Sequence, residues 1–483
     1  MKSILIAAVA LSAGAALADS FMAGFARADI TPPLGTYMPG YYVQRRARQV
    51  LDPLEVNCLA LSDGRTTAFV MQVDAMAVST EIATLARKAV AEATGADVGA
   101  VLVHASHTHD GGHLNFVLRD DPNEEADGQE TVKDVDRLYA RLFVTRAADA
   151  AKAAQADLRP ARLSGARTVA TRISFGRRYL MKDGKVRTNP GTNNPDIVRP
   201  VGTPDEQVQV LRIDRDGAKP IAVINFQTHP DVVGGETITA DWPGLTRRVF
   251  EAANGGDCVS MVINGTEGDV NHCNVLPRPG ELNGLKRDFD DVDRGYDHAK
   301  HMANVLAGAA LSVWMKCVPI AAGKIRFATE QVSVPANKAK ESDEKNVAWA
   351  KKVWGLHEAG KDAELPWKGM ELTTEVARAG RILKVAGGPD VFVLPITTVS
   401  VGKGVAFGGF PGEPFNDIGK AVKAKSPFAM TILSCLTNGS RGYFPFSDSY
   451  TQGGYESATS PFGPSVADDL IAGELRLLGT LCQ

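Results

Sequence analysis

The sequence predicts an α/β fold of mixed β-sheets with flanking helices. Three observations predict it. Short apolar runs rich in β-branched residues recur along the chain, several joined by Asp-Gly turns. Longer stretches with helical periodicity alternate with them. Three of the apolar runs lead directly to a histidine or a glutamate, the placement expected when a rigid sheet presents site residues at its strand ends.

Taken in order, Val56–Ser62 and Thr67–Val73 read as a hairpin about Asp63-Gly64. Thr80–Ala93 is helical, and Ala100–Val103 is a buried strand that runs into a histidine cluster. Val135–Ala154 is helical again. Val208–Ile213 and Pro220–Gln227 pair about Arg215-Asp216-Gly217, and the second leads to His229. Cys258–Ile263 is a strand opening into a glycine-rich turn. Ala336–Val385, rich in Lys, Glu and Ala, reads as a solvated helical excursion. Val391–Val401 and Val405–Phe407 flank Gly402-Lys403-Gly404 and lead to Glu413. No internal repeat and no flexible Gly/Ser linker is visible.

The 483 residues carry 53 Lys and Arg against 56 Asp and Glu, a net charge of −3 with no long basic run, which argues against nucleic acid. The apolar share of 44% is enough for a substantial core. Met1-Lys2-Ser3, the apolar run Ile4–Ala16 and Ala16-Leu17-Ala18 form a secretory leader, so residues 1–18 are expected to be removed and 19–483 to be exported, to the periplasm or beyond. The run is shorter than the roughly 20 residues a membrane span needs. Six dispersed cysteines allow one or two disulfides in an oxidising compartment, with no pairing indicated.

Four of the nine histidines fall within residues 104–113, His104-Ala105-Ser106-His107-Thr108-His109-Asp110-Gly111-Gly112-His113. On extended backbone His107 and His109 share a face and can meet one metal, whereas His104 faces away. A metallo-β-lactamase-like HxHxDH pattern does not fit, since Asp110 comes one residue early and His113 one late. An amidohydrolase barrel would need eight strand-helix repeats that the chain does not show. His229, after an apolar strand, and Glu413, on the turn Gly408-Gly409-Phe410-Pro411-Gly412, are weak signals singly. Tyr443 and Tyr455 lie in a Gly/Tyr/Ser-rich loop.

Together these segments resemble the catalytic domain of the neutral/alkaline (non-lysosomal) ceramidases. The matching stretches are Gly24-Phe25-Ala26-Arg27-Ala28-Asp29-Ile30-Thr31-Pro32, Arg45-Arg46-Ala47-Arg48, His107-Thr108-His109, His229-Pro230, Gly268-Asp269-Val270, Pro411-Gly412-Glu413, and the Tyr443/Tyr455 loop closing on Ser460-Pro461-Phe462-Gly463-Pro464. The resemblance spans about residues 22–475 and implies a single large catalytic domain without the family's C-terminal immunoglobulin-like domain. It implies that His107, His229, Glu413 and Tyr443 bind one Zn2+. His109 would be an acid/base or hydrogen-bond donor, Tyr455 a donor to the oxyanion, and Arg177 or Arg178 the substrate-holding arginine.

The sequence departs from the family at one position. Where the family continues Gly-Asp-Val with serine, this chain has Asn271, which cannot act as a hydroxyl nucleophile but can donate an amide N–H. The implied activity is hydrolysis of an N-acyl amide, ceramide-like or smaller and more polar, by a zinc-activated water, with contact to lipid surfaces as a further expectation. The alternatives are an ester substrate and a non-catalytic protein that kept the metal pocket. Asp241 is read either as orienting a metal ligand from behind or as an ordinary turn aspartate.

Overall fold

Two sheets stack face to face, with helices over both outer faces, in this computed structural model. It describes residues 21–116, 118, 133–281, 286–287, 293–338 and 343–483. The expected leader, 1–18, lies outside the described residues. The larger sheet has nine strands. Its continuous path uses β1 (Met22–Asp29), β2 (Glu55–Ser62), β3 (Thr67–Val73), β4 (Val101–Ala105), β5 (Arg159–Val169), β6 (Gln207–Arg215), β7 (Ala218–Phe226) and β8 (Val259–Asn264). They run in the order β8-β7-β6-β5-β1-β2-β3-β4, with the short strand Val318–Ile320 also pairing β5. The smaller sheet is β9 (Ile325–Pro335), β10 (Val391–Val401), β11 (Val405–Gly409) and β12 (Met430–Ser434), in that order.

Both sheets mix parallel and antiparallel pairs, as expected for the class. Helices α1 (Thr80–Thr94), α2 (Asp134–Ala156), α3 (Asp241–Ala253) and α4 (Tyr296–Trp314) cover the large sheet. α5 (Glu344–Glu358) and α6 (Gly369–Ala386) form a pair, while α7 (Asn416–Lys425) and α8 (Val466–Leu481) cover the small sheet. Local chemistry sets the boundaries. The Ser79 hydroxyl accepts the Ile82 N–H at the start of α1, and Gly95 at φ 75° closes it. Between the sheets, Leu59, Leu61, Val70, Leu211, Val223, Val399, Phe407 and Ile432 join one buried cluster that locks the layers together.

Topology reveals what composition hid. An antiparallel hairpin, a helix and a strand returning parallel to the hairpin's second arm occur three times: β2-β3-α1-β4, β6-β7-α3-β8 and β10-β11-α7-β12. The expectation of no internal repeat therefore fails at the level of structure, because the three units share topology without readable sequence similarity. Their return strands meet at one place. The Asn264 N–H donates to His104 Nε2 (3.1 Å), His104 Nδ1 meets the Cys435 carbonyl (2.6 Å), and the Cys435 N–H donates to the Asn264 carbonyl (3.2 Å). Backbone leaving the strand ends of all three units converges beyond this knot.

Two further expectations are corrected. The α5–α6 pair is helical but not merely solvated: Ala350, Val353, Val376, Ala379 and Ile382 form a small core with three tryptophans against it, and α6 reaches the site described below. None of the six cysteines forms a disulfide, in keeping with their scatter over separate elements. Among the described residues, no helix is long and apolar enough to cross a membrane.

Candidate metal centre and reactive pocket

His107 follows β4, His229 follows β7, Glu413 follows β11 and Tyr443 follows β12. His107 Nε2 lies 3.5 Å and His229 Nε2 3.3 Å from the same oxygen, Glu413 Oε2. The Tyr443 hydroxyl is 3.4 Å from His229 Nε2. Glu413 Oε2 is buried without a hydrogen-bond partner, an arrangement that is costly unless a cation or proton sits there.

The opposite ring nitrogens explain the aim of the imidazoles. His107 Nδ1 is 2.7 Å from the Met76 carbonyl, and His229 Nδ1 is 2.9 Å from the Glu267 carbonyl. Each Nδ1 therefore carries the proton that it donates, so that in the neutral ring the Nε2 lone pair faces the centre, the tautomer a metal requires. His107, His229, Glu267 and Glu413 could hold a metal ion, as could His107, His109 and His229. Burial disfavours a charged His229, and Arg177 does too, yet the Glu267 and Glu413 carboxylates outweigh both and raise its pKa to about 9. Burial pushes the Glu413 carboxyl up, but His107 and His229 hold it well below the usual range.

His107 and His109 meet, with their Nε2 atoms 3.3 Å apart, but not by strand alternation. Strand β4 ends at Ala105 and His107 has φ 75°, so a left-handed kink, not an extended backbone, turns both rings inward. Gly40 (φ 111°) packs against His109, where a Cβ would lie 2.5 Å from Nδ1. Arg45 holds the same loop, donating to the His109 carbonyl (2.6 Å) and pairing with Asp110 (3.3 Å). Burial drives the His109 pKa well below its ordinary value against the opposing pull of Asp231, 3.8 Å from Nδ1.

The remaining expected residues line one cavity of about 380 Å³, which includes His109, Arg177, His229, Asn271, Tyr443 and Tyr455. Arg177, not Arg178, lines it. Arg177 pairs with Glu456 (2.6 Å), donates to the Gly268 carbonyl (2.8 Å) and lies over the Tyr443 ring. Arg178 sits behind, with a hydrogen bond to the Gly453 carbonyl (3.2 Å). Tyr455 packs edge-on to Tyr443 and is 3.4 Å from the Tyr42 hydroxyl. Burial raises its pKa well above the ordinary value, so it stays a neutral donor. Asn271 Oδ1 accepts the Cys273 N–H (3.0 Å), and its amide donates toward Asn189 (3.3 Å).

Some residues fall elsewhere. His104 belongs to the interior knot, and His113 packs on Tyr37 and Phe116. Asp241 (φ 51°) touches none of the four expected ligands: its carboxylate accepts the Val232 N–H (2.8 Å) and fixes the loop after His229. Burial raises its pKa to about 8. Sequence reasoning missed Glu267, which lies 2.8 Å from His229 Nδ1, and Asp231, held by Arg294 (3.1 Å) and the Tyr41 hydroxyl. A signal existed for both, since Glu267 follows β8 in the flagged glycine-rich turn and Asp231 is two residues past His229.

No protein-family model and no curated protein matches the chain. Solved structures do. Neutral ceramidase from Pseudomonas aeruginosa superposes with a TM-score of 0.68 at 16% identity, covering 96% of this chain and 75% of that one. A ceramidase complexed with C2 gives a TM-score of 0.65 at 16% identity, again over 96% and 75%. At these identities the likeness shows the fold, which this chain shares with neutral ceramidase. The motifs pointed to the same proteins.

Proposed function

We propose that the chain is a zinc-dependent hydrolase of linear amides that cleaves an N-acyl amide of the ceramide type. The observation that carries this is the convergence of two imidazole Nε2 atoms on one unpaired buried carboxylate oxygen, beside a cavity of about 380 Å³, on a fold shared with neutral ceramidase. His107, His229, Glu413 and Tyr443 would hold the ion, a nitrogen and oxygen donor set that suits zinc. When bound, zinc supplies Lewis acidity and lowers the pKa of a water molecule.

The chain's own groups supply the rest. His109 enters neutral because it is buried, and its Nε2 faces the ligand histidines, so it can take a proton from the attacking water and return it to the departing amine nitrogen. The Tyr455 phenol is a donor for charge that develops on the carbonyl oxygen. Arg177, braced by Glu456, holds the Tyr443 side of the cavity and the substrate beside it.

A second reading, hydrolysis of a smaller and more polar amide or ester, is favoured by Asn271 in the cavity wall where the resembling family has serine. We also infer export of the mature chain, on the strength of the leader alone. Metal content per chain, measured together with turnover of fluorogenic N-acyl amides of graded chain length, tests the assignment. A metal-free chain that cleaves none of them would overturn it.

A further inference from the structure

A second cavity of about 320 Å³ adjoins the reactive pocket, and the two share Thr188, Asn189 and Met370 in their walls. Its chemistry is different. Lys185, Arg187, Lys368, Glu371 and Glu375 line it, and its apolar lining is limited to Val186, Pro190 and Met370. Two of the charges are compensated by residues outside the lining: Arg187 by Asp183 (2.8 Å) and Glu375 by Arg378 (3.3 Å). Asp183 also lies in the field of Lys185, so what remains in the lining is Lys185 and Lys368 with Glu371, a net excess of one positive charge. Lys368 also stands at the start of α6, where no side chain caps the helix and Glu371 in the first turn offsets only part of the field of the free N–H groups. The junction is polar as well, because Asn189 accepts a hydrogen bond from Asn271 in the reactive pocket (3.3 Å).

We propose that this annex receives an anionic limb of the substrate, so that the molecule cleaved is an N-acyl amide whose amine portion carries a carboxylate or phosphate. The proposal rests on the reading of the adjoining pocket as an amide hydrolase site. A two-chain lipid would lay its second alkyl chain against lysine, arginine and glutamate, and desolvating these without new partners opposes binding. An anion in the same space gains two ammonium groups and a helix start. Thr188 and Asn189, between the cavities, set the spacing between the scissile amide and that charge.

Three amides with one common acyl chain separate the possibilities: N-acyl ethanolamine, N-acyl glycine, and N-acyl ethanolamine O-phosphate. The zinc-loaded full chain is expected to show kcat/KM about tenfold higher for the anionic amides than for the neutral one, the factor that roughly 1.4 kcal/mol gives. Lys185→Ala with Lys368→Ala should shrink this preference to about twofold or less, through KM. The ratio between the glycine and phosphate amides tells which anion the annex takes. Calorimetric titration with phenyl phosphate and with phenol gives an answer independent of turnover, since any contribution of the metal is common to both proteins. The double variant should bind phenyl phosphate at least fivefold more weakly and phenol equally. An unchanged anionic preference in the double variant, or equal phenyl phosphate binding by the two proteins, overturns the proposal. Failure of all three amides alongside the expected calorimetry would instead sink the hydrolase reading and leave the anion site standing.

Discussion

Glu413 and Tyr443 stand directly opposite each other in a two-residue parallel ladder, Glu413–Pro414 against Tyr443–Phe444, so one hydrogen-bonded unit carries two of the expected ligands. Gly268 presses on the back of that ladder. Its N–H donates to the Pro414 carbonyl (2.9 Å), and a Cβ there would lie 2.5 Å from the Glu413 carbonyl oxygen. Gly268→Ala must therefore push Glu413 and Tyr443 together, and a site built to tolerances of about 0.5 Å does not survive such a shift. Zinc per chain is expected to fall by half or more, with circular dichroism unchanged. Full zinc content in a folded Gly268→Ala protein would refute the ladder as the mount of the site.

Asn271 tests the substrate. Its carboxamide closes a turn with the Cys273 N–H and reaches toward Asn189 within the cavity wall, and neither of these partners is a proposed ligand. Asn271→Ser should leave zinc content as it was and raise any activity on N-acyl sphingosines. Reduced hydrolysis of every amide in a panel would show that Asn271 has a role of its own.

The histidine cluster divides cleanly. His107→Ala removes an Nε2 from the centre and should lower both zinc occupancy and activity. His104→Ala should leave zinc in the folded fraction but lower the thermal midpoint. It strips partners from the Cys435 carbonyl and the Asn264 N–H at a fully buried position, a loss of about 1–3 kcal/mol. Differential scanning calorimetry with metal analysis on both variants distinguishes the two roles. Loss of zinc from His104→Ala with retention by His107→Ala would reverse the assignment.

Why was the site legible at all? Strand positions were, because apolar runs and Asp-Gly turns are local signals, and β3, β7 and β11 begin and end within a few residues of the expected places. His229 and Glu413 lie just past such strands, but singly they are weak signals, and it is the resemblance that joins them into one expected ligand set. What stayed hidden depends on long-range geometry. The kink at His107 is fixed by its N–H bond to the Ala75 carbonyl (2.9 Å), a partner on another loop. Glu267 matters only because β8 lies beside β7, a parallel neighbour that no local pattern specifies. The threefold recurrence of the hairpin-helix-strand unit is likewise a property of pairing rather than of residue identity.

Glu474 gives a pH test away from the centre. It is fully buried on α8, accepts a hydrogen bond from Thr398 (2.8 Å), and burial raises its pKa from 4.5 to about 7. The folded chain thus holds a proton that the unfolded chain has released between those values, and stability falls as pH rises through that window. Glu474→Gln keeps the hydrogen bond and removes the titration. Its gain over the parent protein should be small near pH 4.5 and reach roughly 3 kcal/mol at pH 8, the scale set by such a shift. Urea unfolding at both pH values measures it, and an equal gain at both would exclude Glu474 as the cause.

Metal binding itself should be proton-coupled, with a direction that follows from His229. In the metal-free chain the Glu267 and Glu413 carboxylates hold this imidazole protonated up to about pH 9. A metal needs the Nε2 lone pair, so below that pH it must displace a proton, and affinity should rise by up to about tenfold per pH unit as pH increases toward 9. The stability of the metal-free chain moves the opposite way. A histidine whose folded pKa exceeds its ordinary 6.5 contributes stability that is complete below 6.5 and is lost as pH climbs through about 9. The loaded chain, its His229 neutral throughout, lacks that dependence. The gap in thermal midpoint between loaded and chelator-treated protein should therefore widen steadily from pH 6.5 to 9. Midpoints with and without chelator at four pH values across that range decide it. A gap that stays constant or narrows would mean that His229 does not exchange a proton for the metal, and, because both groups of side chains that could hold an ion among the described residues include His229, the metal assignment would fall with it.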